Sequence, residues 1–420
     1  MTAIRRLIGI AWRNVFRNKR RSLLTLAVLG FGCVGMILIG GFFDNILQGL
    51  RDQIIHSQTG HLQVSALGYF DKGVTDPYAY LLRDVPAVAA RIERVPHVLF
   101  TVPRLQVSGM ASAGDATVPV TLLGTDADRE KRMGSVKAGN SKTASVHIEE
   151  GRDLEVSDPY GAVLGKGLLS ALGLKVGDSV TVLTTRESGA IDSAQYVVRG
   201  AFSTVMKDVD DRVMKVNIAS ARKLAGLGVV AHTLLAVLDD ASRTEEIRDV
   251  LVHAFRESGF ALEIRTWNEV QPAYGQSRQM LDRVFGVIQV IIAVVFFFSV
   301  ANTLNMGLLE RVKEFGTMRA IGNGRTLVFL TILLEVVFLG LVGAALGLAI
   351  GSGAAGIVSA LGIEMPPPPQ GSSPYLAMIS LSVPLLVRTF LIASFATLLS
   401  GIGPALHVAR MRIVEALGYV

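Results

Sequence analysis

The sequence predicts an α-helical membrane protein with four transmembrane helices and a large α+β extracytoplasmic domain inserted between helices 1 and 2. Three observations carry this prediction. The apolar residues fall into four blocks, the long stretch after the first block reads as a water-soluble domain, and the basic excess sits on one set of block flanks. Of 420 residues, 50% are hydrophobic and 18% charged, against a usual charged share of about 25%. Buried helices of a soluble protein rarely run so far without a charge, so the blocks are read as membrane spans.

In order along the chain, residues 1–21 ("TAIRRLIGIAWRNVFRNKRR") mix basic and apolar side chains at helical spacing. This suits a helix lying on the inner membrane surface. Residues 22–44 form the first span, because Ser22 to Phe43 carries no charge and a hydrocarbon core of about 30 Å needs roughly 20 helical residues. The run exceeds the 7–15 residues of a signal-peptide core and no small-x-small site follows, so it reads as an uncleaved anchor. Residues 45–280 form the outer domain. The second span is 281–309, the connecting loop 310–325 and the third span 326–352, where Glu335 is the single charge between Thr326 and Ile363. An outer loop at 353–384 contains "MPPPPQGSSP", a stiff polyproline element. The fourth span is 385–407 and the tail 408–420.

Charge sets the orientation. Residues 1–43 hold seven Lys/Arg and no acid, while 45–280 hold 26 Lys/Arg against 28 Asp/Glu. Short Lys/Arg-rich segments stay in the cytoplasm and long domains cross regardless of charge. Both termini and the 310–325 loop are therefore expected on the cytoplasmic side, with 45–280 outside. The net charge of +6 reports topology and contact with anionic lipid, and no nucleic-acid partner is expected.

Within 45–280, "HLQVSA", "VTLLGT", "DSVTVLTT", "AQYVVRGAFS" and "TLLAVLD" are β-branched-rich runs bounded by turn formers, which predicts strands. "TEEIRDVLVHAFRES" carries a helical apolar stripe at Ile247, Val250, Leu251 and Phe255, with Thr244 as its expected cap. "LLSALGL" before "KVGD" predicts a short helix. A composition break near Glu150 predicts two lobes. No catalytic constellation is found: "GAVLGKG" lacks the spacing and the Ser/Thr of a phosphate loop, and there is no G-x-S-x-G or H-E-x-x-H. His56 and His61 have no acid placed to complete a metal site. No catalytic residue, metal or cofactor is expected on this chain, and it is not expected to be an enzyme. Its one cysteine, Cys33, lies in the first span, so the outer domain must be stable without disulfides.

In the membrane, a charged Glu335 would cost roughly 2.5 kcal/mol or more and should face protein. Asn302 lies at comparable depth on the preceding span, which predicts a Glu335–Asn302 hydrogen bond between neighbouring helices. Gly343, Gly347 and Gly351 recur every four residues and form one small face that admits a close helix neighbour, in the same chain or in a second subunit.

The loop "ERVKEFGTMRAIGNGR" lies between the second and third spans. Val312, Phe315, Met318 and Ile321 are spaced by three, which predicts a short helix, although Arg311 falls inside its apolar arc. A structured inner loop that combines charge with exposed apolar surface suits docking to a partner. The loop resembles the coupling segment of ATP-binding-cassette permeases in the macrolide-exporter and lipoprotein-release (FtsX-like) family. The match is E-R-x-x-E-x-G-x-x-[RK]-A-x-G at Glu310, Arg311, Glu314, Gly316, Arg319, Ala320 and Gly322, with Phe315 where Ile is usual. "AWRNVFRNKRRSLLT", "GHLQV", "LGKGLLSALGLKVGD" and the ending "PALHVARMRIVEALGY" are similar to further pieces of the family. Ile413 stands where the tail usually has Pro.

The resemblance, nearest the lipoprotein-release LolC/LolE branch, implies a permease subunit working by mechanotransmission. A separate cytoplasmic ABC ATPase dimer, holding the ATP and Mg, would press on the coupling residues. A second permease subunit, a copy or a paralogue, would move with it to release a lipoprotein or amphiphilic substrate, with a periplasmic carrier or adaptor as a further partner. Two alternatives are an efflux permease for peptides or drugs, and a non-transporting transducer that controls a cell-wall hydrolase.

Overall fold

The structure, a computed structural model, describes residues 19–73, 75–135, 147–204, 206–365 and 375–418. Most of the expected interfacial helix at 1–21 and of "MPPPPQGSSP" lies outside the described residues. Four helices, Lys19–Ile54, Pro272–Glu310, Arg325–Leu361 and Val383–Arg410, are long and apolar enough to cross a membrane. Three of them have 36 to 39 residues. At 1.5 Å per residue that is about 55–60 Å, nearly twice a hydrocarbon core. They therefore overrun their predicted spans: the first passes residue 44, the second starts before 281 and the third passes 352. Each must project from the bilayer at one end or both.

These helices belong to one compact unit of residues 1–47, 277–364 and 376–420. Its core is built from Leu29, Cys33, Met36, Phe296, Val300, Val336, Leu339 and Ala393. The glycine face of the third helix packs against the first helix of the same chain. A Cβ on Gly347 would stand 2.7 Å from Cys33 Cβ, and one on Gly343 or Gly351 would strike Leu29 or Ile37. The question of which helix fills this face is thus answered within the chain.

The outer domain is a second compact unit, residues 48–276 with 365–375. Its ten strands are β1 (Leu62–Ala66), β2 (Val98–Ala113), β3 (Ala116–Thr125), β4 (His147–Gly151), β5 (Gly161–Gly165), β6 (Ser179–Thr185), β7 (Ile191–Ser203), β8 (Val213–Asn217), β9 (Thr233–Leu238) and β10 (Leu262–Thr266). Pairing runs β2-β3-β8-β5-β7, and β6 pairs with both β7 and β2, so six strands close into a ring. The long β2 makes closure possible: its second half pairs with β3 and β6, while its first half pairs with β9. From β9 the sheet continues open through β1 to β10. The strand runs and the short helix, Lys166–Ala171, lie where the sequence places them. Thr244 is different, because it is the first helical residue and its hydroxyl donates back to the Ala241 carbonyl.

The domain's two largest apolar cores among the described residues do not divide near Glu150. The ring encloses Leu105, Leu122, Leu164, Val182, Tyr196 and Val216, from strands on both sides of that position. The second core packs the helices Val85–Ile92 and Thr244–Glu257 on the open sheet through Val88, Ile92, Leu234, Ile247 and Leu251. The ring holds because each strand sends alternate residues inward.

Two buried histidines make this domain acid-sensitive. His232 Nδ1 accepts from the Gln106 amide and its Nε2 donates to the Pro77 carbonyl, both at 3.0 Å. His61 Nδ1 accepts from the Leu238 amide at 3.1 Å. Both roles require neutral rings, and burial pushes their pKa values down to about 4 and about 3. The unfolded chain therefore takes up these protons first as the pH falls below about 6.5. Stability is complete above that pH and is lost on the way down.

Two outcomes follow. Gly347→Val should lower the unfolding free energy of the detergent-purified chain by about 1–3 kcal/mol through overpacking, and unchanged stability would rule out the close helix seam. Between pH 7.5 and 5, His232 should account for roughly 2 kcal/mol of lost stability. A pH series on His232→Gln should show a correspondingly shallower decline, and an unaltered slope would remove this histidine as the cause.

Candidate coupling site

Directly after the second membrane helix, the chain turns at Arg311 into a short helix, Val312–Ala320. Gly322, at φ +100°, and Gly324 then lead into the third membrane helix. Only glycine adopts the Gly322 conformation without strain, so the loop stops there. Val312 is buried, and Phe315 is buried in a cluster with Leu308, Val328, Ile332, Ala405 and Val408, from the ends of the second, third and fourth membrane helices. Met318 is half-buried, whereas Ile321 is 78% exposed at the tip.

Arg311 explains its place in the apolar arc. Its Nη1 donates to Glu335 Oε2 at 2.9 Å and its Nε to Glu314 Oε2 at 3.0 Å, with the guanidinium 5.1 Å from the centre of the Phe315 ring. The Arg311 and Glu335 side chains are 13% and 12% exposed. This corrects the expected Glu335–Asn302 bond: Asn302 points outward and is exposed, and a cation from the loop meets the carboxylate instead. The depth count from Arg325 misled because the third helix projects from the bilayer. Residue 335 lies level with residue 311, at the end of the second helix.

The rest of the motif divides by direction. Gly316 is buried, and a Cβ there would come within 2.9 Å of Ala416 Cβ, on the C-terminal helix Ile413–Leu417. Arg319 Nη1 donates to the Met411 carbonyl. The loop and the tail, far apart in sequence, thus form one platform. Glu310, Glu314, Ala320 and Gly322 are exposed, together with Lys313, Thr317 and Ile321, which the motif does not mark. The tail's role was missed, and its signal was a pair of small residues, Gly316 and Ala416, in two otherwise bulky segments.

The comparisons with known proteins agree with this architecture. Residues 22–254 match the MacB-like periplasmic core domain and residues 286–413 the FtsX-like permease C-terminal family. The four membrane helices and the outer domain, with these family matches, define an ABC transporter permease. The chain belongs to the family with a MacB-like periplasmic core domain, in the MacB/LolC group of permeases. It is 23% identical over 435 residues to an uncharacterised ABC transporter permease of Methanocaldococcus jannaschii, covering 98% of this chain and 97% of that one. It is 23% identical over 360 residues to the lipoprotein-releasing system transmembrane protein LolC of Neisseria meningitidis serogroup B, covering 84% and 82%. It is also 23% identical over 436 residues to the macrolide export ATP-binding/permease protein MacB of Agrobacterium fabrum, covering 99% of this chain and 60% of that protein.

Removing one partner of a buried ion pair strands the other charge. Arg311→Met and Glu335→Leu should each cost about 3–5 kcal/mol, whereas the double variant Arg311→Met/Glu335→Leu should recover most of that loss. Unfolding of the four proteins in detergent measures the cycle. Additive losses would show that the two side chains do not act as a pair.

Proposed function

We propose that this chain is the force-transmitting permease subunit of an ABC transporter, with its inner loop as the docking surface for a separate cytoplasmic ATPase dimer that binds ATP and Mg. The observation that carries the reading is the platform itself. Arg311–Glu335, Gly316–Ala416 and Arg319–Met411 tie the loop to the third membrane helix and the tail. A load on the exposed face of Val312–Ala320 is then delivered to the bundle instead of bending a loop. The basic flanks orient the platform to the cytoplasm, with both termini inside the inner membrane and the outer domain in the periplasm.

A second permease subunit, identical or paralogous, completes the assembly. Asn302 and Asn305 are both exposed along the second helix, and amides within a membrane favour a protein partner over lipid. The work would release a lipoprotein or amphiphile on the periplasmic side, for hand-over to a carrier or adaptor. The likeness to LolC supports this. Export of a drug or peptide is the second reading, favoured by the match of 99% of this chain to part of MacB.

Reconstitution with the cognate ATPase tests the docking role. Glu314→Lys and Ile321→Asp, both on the exposed face, should reduce permease-stimulated ATP hydrolysis at least about tenfold, equivalent to 1.4 kcal/mol of coupling. The melting temperature of Ile321→Asp should not move, whereas Glu314→Lys also gives up the bond to Arg311. Full stimulation in both variants would refute the docking surface.

A further inference from the structure

On the outer domain, outside the strand ring, lies a cavity of about 260 Å³. Its wall follows from strand alternation. Leu105 and Val107 point into the ring core, so Arg104 and Gln106 point out; Met214 and Val216 point in, so Lys215 points out. The chain closes over these residues with Ser57–Thr59, just after the first membrane helix in sequence, and with Val270–Gln271, just before the second.

Two charged side chains line the cavity, Arg104 and Lys215, and both are cations. Lys215 Nζ donates to Glu130 Oε1 at 2.9 Å, and Arg104 Nη2 donates to the same oxygen at 2.7 Å. Arg104 also donates to the Ser57 and Gln58 carbonyls. The three side chains are 6%, 7% and 7% exposed in the order Lys215, Arg104, Glu130. Both cations share the Glu130 carboxylate, and a further buried acid, Asp210, accepts from Thr204 and Ser203. Glu130 is held at about 2, because the two cations outweigh its burial, so it stays ionised. Arg104 spends its donors on Glu130 and the two carbonyls. Lys215 has one bond to an acceptor and lies 5.2 Å from the centre of the Phe202 ring, leaving donors facing the cavity.

The remaining lining selects which anion could meet these two cations. Gln58, Gln63, Gln106 and Gln271 put four primary amides around the cavity. Gln58 Nε2 is buried with no partner among the described residues. Primary amides both donate and accept, and so complement a peptide backbone. Phe202, Leu123 and Val213 supply an apolar floor. The volume is below the 300–1,000 Å³ usual for drug-sized ligands, enough for one or two residues of chain.

We infer that this cavity binds the C-terminal end of a polypeptide, with Lys215 taking the carboxylate, the glutamines the last peptide groups and the apolar floor the terminal side chain. The inference goes beyond the coupling role and does not depend on it, because the two surfaces share no residue. The test uses the full chain in lipid nanodiscs, titrated with the acetylated tripeptide Gly-Ala-Leu as free acid, with the same peptide as C-terminal amide, and with butyrate. The free acid should bind saturably and at least about tenfold tighter than the amide. Lys215→Met should abolish that preference and Lys215→Arg should keep most of it. Gln271→Ala, at the half-buried rim, should weaken both peptides alike. Equal affinity of wild type for acid and amide would overturn the inference, whatever the variants do. Butyrate binding as tightly as the acid would overturn the peptide assignment, leaving a plain anion site. If Lys215→Met does not fold, the wild-type acid–amide comparison decides alone.

Discussion

A guanidinium at the end of one apolar helix and a carboxylate three turns inside the next fix the geometry of the membrane bundle. Neither Arg311 nor Glu335 could be buried alone, since an isolated charge in so dry a setting costs several kcal/mol. Their pairing at 2.9 Å sets the second and third helices in register along their axes. It also marks the level where charge becomes tolerable. The residues from Val312 to Glu335 then form a folded projection beyond that level, with the apolar floor of Leu308, Phe315, Val328 and Ile332 as its own small core.

Close approach does the complementary work deeper in the bundle. Lipid is as apolar as leucine, so burial alone gives membrane helices little reason to associate, and packing contact decides. The third helix places glycine at three successive four-residue steps against Leu29, Cys33 and Ile37, and the first helix returns this by admitting Phe296 at Gly32. The outer domain relies on water-driven burial and a strand ring without disulfides. The two units thus owe their stability to different forces.

Much of this was readable beforehand, for physical reasons that can be named. Span number follows from composition because a bilayer excludes charge over a fixed thickness. A strand such as Ser179–Thr185 was visible because half-buried strands carry period-two, β-branched patterning. Closure of the ring was not visible, since it depends on β2 pairing with β6 some seventy residues later, and no local pattern records which distant edge a strand will meet. The partner of Glu335 was missed for a related reason. Counting depth from Arg325 assumes that an apolar run starts at the membrane surface, and a helix of 37 residues need not. Gly343, Gly347 and Gly351 announced a close contact but not its owner, because smallness on one helix says nothing about which surface fills it.

Arg311 itself was the unused clue. A cation inside an apolar arc is an inconsistency between pattern and chemistry, and such inconsistencies point to a buried partner. Following it divides the loop motif in two. Arg311, Phe315, Gly316 and Arg319 turn inward and build the platform, so their residue types are dictated by Glu335, the small apolar core, Ala416 and the Met411 carbonyl. The motif's other positions, Glu310, Glu314, Ala320 and Gly322, are exposed, with Glu314 also accepting from Arg311. The motif is therefore in part a recipe for folding the loop. Lys313, Thr317 and Ile321 share the exposed face at positions the motif leaves open.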